Sequence, residues 1–148
     1  MSRRAPEEVL DSFSAVARSL RAAAAQTYAT FEVGSAQAKL LRHIGRESVS
    51  SQAELARLTG SDPTLTGRVL GTLIARGWVR RRRSEEDRRQ YVLELTAAGR
   101  RARARVEAAR QQVARRMVAA LDQTDIRDFE RIARKLRAAF EGVQSRQK

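Results

Sequence analysis

The chain has 148 residues, with 30 Lys plus Arg against 17 Asp plus Glu, a formal charge of +13, and no cysteine. That length suits one ordinary domain with a real hydrophobic core and argues against a multidomain enzyme. The missing cysteines exclude a disulfide framework, a thiol switch and a thiolate metal site. The cationic surplus, 27 of the 30 basic residues being arginine, points to a polyanionic partner, nucleic acid first. No apolar run approaches the roughly 18 residues of a membrane span. Met1-Ser2-Arg3-Arg4 leads into Pro6-Glu7-Glu8 instead of a secretory apolar stretch, so a cytoplasmic protein with no membrane partner is expected.

In chain order, Pro6 with Glu7 and Glu8 opens a first helix, whose Val9, Phe13, Val16 and Leu20 fall on one stripe, to about Tyr28. Ser35 is placed to cap a second helix to about Arg46, with Leu40, Leu41 and Ile44 inward, followed by a short loop over Glu47 to Ser50. Ser51-Gln52-Ala53-Glu54 is a capping box for a helix of about two turns that buries Leu55 and Leu58 and stops at Thr59-Gly60. Asp62-Pro63 opens the next helix, with Leu65, Val69, Leu73 and Ile74 as its core face and Gly77 as its end. The period then shifts to two. Trp78 to Arg83 and Tyr91 to Leu95 read as strands, with Tyr91, Leu93 and Leu95 on one face and a polar tip from Ser84 to Gln90 between them. Thr96 starts a long helix with the stripe Ala102, Val106, Ala109, Val113, Met117, Ala120. After a break at Asp122 to Asp125, a last amphipathic helix carries Ile126, Phe129, Ile132 or Ala133, Leu136 and Phe140.

Two short helices joined through Gly60 and followed at once by a basic hairpin are suited to duplex DNA. The second helix of a helix-turn-helix enters the major groove, where arginine forks onto guanine and hydroxyls reach bases or phosphates. Ser61, Thr64, Thr66, Arg68 and Thr72 are expected on its exposed face. Arg76 to Arg89 holds seven arginines and three acids. A charge run is ordinarily a solvated face, but basic strands with Arg82 and Arg83, flanking a tip with Arg88 and Arg89, have the form of a wing able to touch phosphates or a narrow minor groove.

Asp87-Arg88-Arg89-Gln90-Tyr91-Val92-Leu93-Glu94-Leu95-Thr96, with Gly77-Trp78-Val79 upstream and Gly99 downstream, resembles the wing signature of MarR-type (multiple antibiotic resistance regulator) transcription factors. The resemblance covers nearly the whole chain. It implies a mainly α fold with a small β-hairpin wing, a winged helix-turn-helix flanked by N- and C-terminal dimerisation helices: a DNA-binding lobe over residues 35–96 and a helical dimerisation region over 6–34 and 97–148 of a single domain, 1–148. It further implies that Asp87 orients Arg89, and that Arg68 stands where the family often carries a DNA-contacting arginine. Gly67 and Gly71 depart from the Thr and Asp common at those places. Asp87 and Arg89, two apart on an extended strand, are close enough to pair.

The implied function is a homodimeric regulator, most simply a repressor, on a pseudo-palindromic double-stranded DNA operator, released by a small aromatic effector. Tyr28, Phe31, His43 and Trp78 are candidates for lining the effector pocket, Trp78 equally a core residue. The rival is a non-specific architectural nucleic-acid binder. No catalytic motif accompanies the single histidine, so no enzyme activity, cofactor or metal is expected. Glu85, Glu86 and Asp87 are read as neutralised by neighbouring arginines.

Overall fold

The computed structural model describes residues 5–46 and 51–141, and the loop expected at Glu47 to Ser50 lies outside them. The elements in order are α1 (Pro6–Ala29), α2 (Ser35–Ile44), α3 (Gln52–Thr59), α4 (Pro63–Ala75), β1 (Val79–Arg83), β2 (Tyr91–Leu95), α5 (Ala97–Ala119) and α6 (Gln123–Glu141). The chain divides into two units, one through Gln111 and one from Gln112, with the division inside α5.

In the first unit, local chemistry sets the element ends. Pro6 starts α1 with Glu7 and Glu8 in its first turn. The residue before α2 is Gly34, not Ser35. Its amide donates to Gln37 Oε1 at 3.1 Å, so the cap is supplied from inside the helix. Ser51 Oγ accepts from the Glu54 amide at 3.0 Å, and Gly60 closes α3 at φ 60, where a side chain would be strained. Asp62 Oδ2 accepts from the Leu65 amide at 2.8 Å, with Pro63 in the first turn of α4.

The core is built on Leu41, Leu55, Leu70, Leu73, Val79 and Val106, all fully buried. On α4 the core face is turned by one residue from expectation. Thr66, Leu70 and Leu73 point inward, while Leu65 is 47% exposed and Val69 half-buried. Thr66 can be buried because its hydroxyl donates to the Asp62 carbonyl at 2.8 Å, leaving only its methyl to pack. On α3, Leu55 is joined inside by Ala56 and Thr59, with Leu58 half-buried.

β1 and β2 pair antiparallel, Val79 opposite Leu95, Arg81 opposite Leu93 and Arg83 opposite Tyr91. Leu93 and Leu95 are buried, whereas Tyr91, expected on the same inner face, is exposed at the outer end. The hairpin joins α5 through Thr96, whose hydroxyl donates to the Gly77 carbonyl at 2.6 Å and accepts from the Gly99 amide at 3.1 Å. A Cβ at Gly99 would collide with the Trp78 carbonyl, so only glycine lets the helix approach the strand this closely.

In the second unit, Asp122 Oδ1 accepts from the amides of Thr124 and Asp125 at 2.7 and 2.9 Å, and Asp125 Oδ2 accepts from the Asp122 amide at 3.0 Å, a reciprocal cap for α6. Phe129, Ile132, Leu136 and Phe140 form the expected stripe, and all four are exposed. Among the described residues, no helix is long and apolar enough to cross a membrane.

Candidate nucleic-acid interface

The exposed face of α4 follows from the packing of the opposite one. With Thr66, Leu70 and Leu73 turned inward, Thr64, Leu65, Arg68, Gly71 and Thr72 face outward. The Arg68 guanidinium has no hydrogen bond or ion pair among the described residues. The Thr72 hydroxyl donates to the Arg68 carbonyl at 3.2 Å. Half-buried Ser61 accepts from Lys39 Nζ at 3.5 Å, and its own hydroxyl donates to the Thr59 carbonyl at 3.4 Å. Thr66 is 1% exposed, so its expected place among the DNA-facing residues is corrected, and Leu65 takes it instead. Apolarity assigns Leu65 to the core; only the rotational phase fixed by the Asp62 cap exposes it.

A Cβ at Gly67 would meet the end of the exposed Gln52 side chain, whose amide donates to the Pro63 carbonyl at 3.1 Å. Gly71 faces open space.

The wing arginines are divided. Arg80 and Arg82 lie on one face of the hairpin and both donate to Glu94, Arg82 at 2.9 Å, with Glu85 3.7 Å from the Arg82 guanidinium. The hydrogen bond from Arg82, reinforced by Arg80, holds the Glu94 carboxyl below its ordinary range despite some desolvation. Arg82 is therefore engaged within the wing, not free for DNA as its place in the basic run suggested. Arg83 lies over the Tyr91 ring, 5.5 Å from its centroid, and donates to the Arg88 carbonyl at 3.3 Å. Arg81, Arg88 and Arg89 keep exposed guanidinium groups without ion pairs among the described residues. Glu94 escaped the sequence reading, although period-two spacing opposite Arg80 is a usable signal once the register is known.

Asp87 does not pair with the Arg89 guanidinium. Residues 87–90 form a turn, not an extended strand. Asp87 Oδ1 accepts from the Arg89 amide at 3.0 Å, its carbonyl from the Gln90 amide at 2.9 Å, and Ser84 donates its amide to the Gln90 carbonyl at 2.8 Å. Asp87 thus shapes the backbone of the tip, as aspartate does in such turns. Of the acids expected to be neutralised by neighbouring arginines, only Glu85 has such a partner, Arg82; Glu86 donates its amide to Ser84 Oγ at 3.3 Å.

The four effector candidates are only partly gathered. Tyr28 is buried and meets Phe31 edge to face, centroids 6.2 Å apart. His43 is half-buried on α2. The Trp78 ring is covered by the Arg76 guanidinium at 3.6 Å, and Arg76 also donates to the Glu32 carbonyl at 2.6 Å. Glu32 has φ 58, a left-handed conformation uncommon outside glycine. A cleft of about 370 Å3 at the end of α2 is lined by none of these four. Among the described residues, no group of three His, Cys, Asp or Glu side chains gathers to hold a metal ion.

A model of the MarR family matches residues 32–90, the span holding α2, α3, α4 and the wing. A Mycobacterium tuberculosis MarR family protein in complex with p-aminosalicylic acid is similar at 28% identity, covering 89% of this chain and 98% of that one, with a TM-score of 0.69. A MarR transcriptional regulator from Methanosarcina mazei Go1 shares the fold at 24% identity, covering 94% and 98%, with a TM-score of 0.74. A mutant MarR from E.coli complexed with operator DNA shares it at 20% identity, covering 87% and 93%, with a TM-score of 0.73. No curated protein matches the sequence significantly.

Proposed function

The chain belongs to the MarR family of winged-helix transcription regulators, and from that premise we propose that it binds a pseudo-palindromic operator as a cytoplasmic homodimer, represses transcription there, and is released by a small aromatic effector. One observation carries the DNA reading. Arg68 stands unpaired on the outward face of a helix whose opposite face is locked into the core, in the same unit as a wing with unpaired Arg88 and Arg89.

In the major groove, Arg68 forks onto guanine, Leu65 meets a thymine methyl, and Thr64, Thr72 and Ser61 reach bases or phosphates. Arg88 and Arg89 enter the adjacent minor groove or bind its phosphates, with Asp87 setting their approach through the backbone, and Arg83 adds a phosphate contact from the strand. The exposed apolar stripes of α1 (Val9, Leu10, Phe13, Val16) and α6 (Phe129, Ile132, Leu136, Phe140) support self-association, because faces of this size left in water are unfavourable. The reading assigns residues 6–34 and 97–148 to dimerisation and residues 35–96 to DNA binding. The salicylate-type ligand of the Mycobacterium tuberculosis relative supports an aromatic effector, for which Tyr28 and Phe31 are the best-gathered pair and His43 and Trp78 the remaining candidates.

Selection of genomic fragments on the purified protein, followed by footprinting, tests this. Two protected half-sites about 10 base pairs apart support it. Affinity independent of sequence and governed only by salt means instead the non-specific architectural binder that the charge permits.

A further inference from the structure

The cleft of about 370 Å3 between the end of α2, β2 and the start of α5 is within the size range of small-ligand sites, and its chemistry is one-sided. Among the described residues, Arg46, Arg82, Arg100 and Arg103 line it against a single acid, Glu94. That acid is already held by Arg80 and Arg82. The only acid in α5, Glu107, is held by Arg42 at 2.9 Å. Arg103 Nε is buried with no hydrogen-bond partner, and its side chain lies so tightly over Gly45 that a Cβ there would overlap it. Among the described residues the Arg103 guanidinium has no ion pair, which leaves its charge for an anion in the cleft. The site also sits at the start of α5, the positive end of its dipole, where the first turn holds no acid. Ile44, Gly45, Val92, Leu93 and Leu95 complete the lining among the described residues, which holds aliphatic surface and no aromatic ring.

We propose that this cleft binds a small organic anion, its carboxylate or phosphoryl group held by Arg103 and Arg46 and its aliphatic body laid against Ile44, Leu93 and Leu95. The site is separate from the aromatic candidates around Tyr28. Because Arg82 belongs both to the cleft and to the Glu94 pair, a bound anion competes with Glu94 for that guanidinium and alters the charge balance of the wing. Only this last consequence rests on the DNA-binding reading.

Calorimetric titration of the full-length protein with hexanoate, butyl phosphate and neutral hexanamide tests the site. One anion per chain is expected to bind with a dissociation constant below about 1 mM, with no binding of hexanamide. Arg103→Gln and, separately, Arg46→Gln should each weaken binding at least tenfold. Circular dichroism checks the fold, and the exposed Arg46 variant decides the matter if Arg103→Gln does not fold. The proposal is overturned if neither anion binds, or if both variants bind them like the wild type. It is equally overturned if Arg103→Gln leaves anion binding unchanged but lowers the salt slope of DNA binding, which would make the cleft a DNA-phosphate contact. A protein that binds butyl phosphate but no DNA would keep the site and sink the regulator reading instead.

Discussion

The helix α4 and the wing are both proposed to touch DNA, yet they present charge in opposite ways. On α4 one arginine, Arg68, is left without a partner, and a buried face of Thr66, Leu70 and Leu73 fixes where it points. The hairpin carries many arginines but neutralises two of them, Arg80 and Arg82, against Glu94, while Arg83 keeps its charge over the Tyr91 ring. A basic count along a sequence therefore overstates the charge available to a partner. Packing decides the availability on the helix, and cross-strand register decides it on the wing.

The sharpest way to break the comparison is to remove the packing that aims α4. Leu73→Ala, at a fully buried site, is expected to cost about 2–5 kcal/mol of stability by thermal or denaturant melting. A loss below about 1 kcal/mol would mean that the helix is positioned by something other than this core.

Next is the unpaired arginine itself. Arg68→Ala should weaken operator binding by about 1–3 kcal/mol with little change on random DNA, whereas Arg80→Ala, already spent on Glu94, should change operator binding much less. Equal losses would erase the distinction between the two regions. At the tip, Asp87→Ala and Arg89→Ala should each weaken operator binding, and the double variant should lose less than their sum, since Asp87 acts through the Arg89 amide. Strict additivity in fluorescence anisotropy would assign the two residues separate roles.

Gly71 offers a smaller, stabilising test. It lies in the interior of α4 facing open space, so Gly71→Ala should raise stability by about 0.5–1 kcal/mol, readable as a higher melting temperature.

The smallest effect is electrostatic. Burial pushes the Glu107 carboxyl up, but the hydrogen bond from Arg42 and the charges of Arg42, Arg103 and Arg110 outweigh it, so this group sits below its ordinary value, as Glu94 does. A carboxyl that loses its proton more readily when folded adds stability above its unfolded pKa, near about 4.3 for glutamate, and loses it as pH falls through the lower folded value. Glu107→Gln should therefore flatten the loss of stability below about pH 4, with little pH dependence of the difference above about pH 5. A variant that follows the wild-type acid limb would show Glu107 to be energetically idle.

What the sequence disclosed and what it hid divide along sequence distance. The ends of α3 and α4 were legible because Ser51, Gly60, Asp62 and Pro63 act on amides within a few residues. The phase of α4 was misread because Leu65 outranks Thr66 in apolarity, and nothing in the composition says that the Thr66 hydroxyl is satisfied by the Asp62 carbonyl. The Glu94 pairs were hidden because they need the strand register, set by the turn around Asp87. Reading Asp87 and Arg89 as extended gave the correct partners with the wrong atoms, the backbone amide taking the place of the guanidinium.

Trp78 joins several of these regions at one residue. Its amide donates to the Leu73 carbonyl at the end of α4, its carbonyl accepts from Thr96 before α5, and its ring lies under Arg76, which also holds the α1–α2 turn at Glu32. It is also the only tryptophan in the chain. Intrinsic fluorescence excited at the indole band is thus a single-site optical signal from the junction of α4, the wing and α5. A stopped-flow trace of DNA or anion arrival, taken without any label, records the motion of that junction alone.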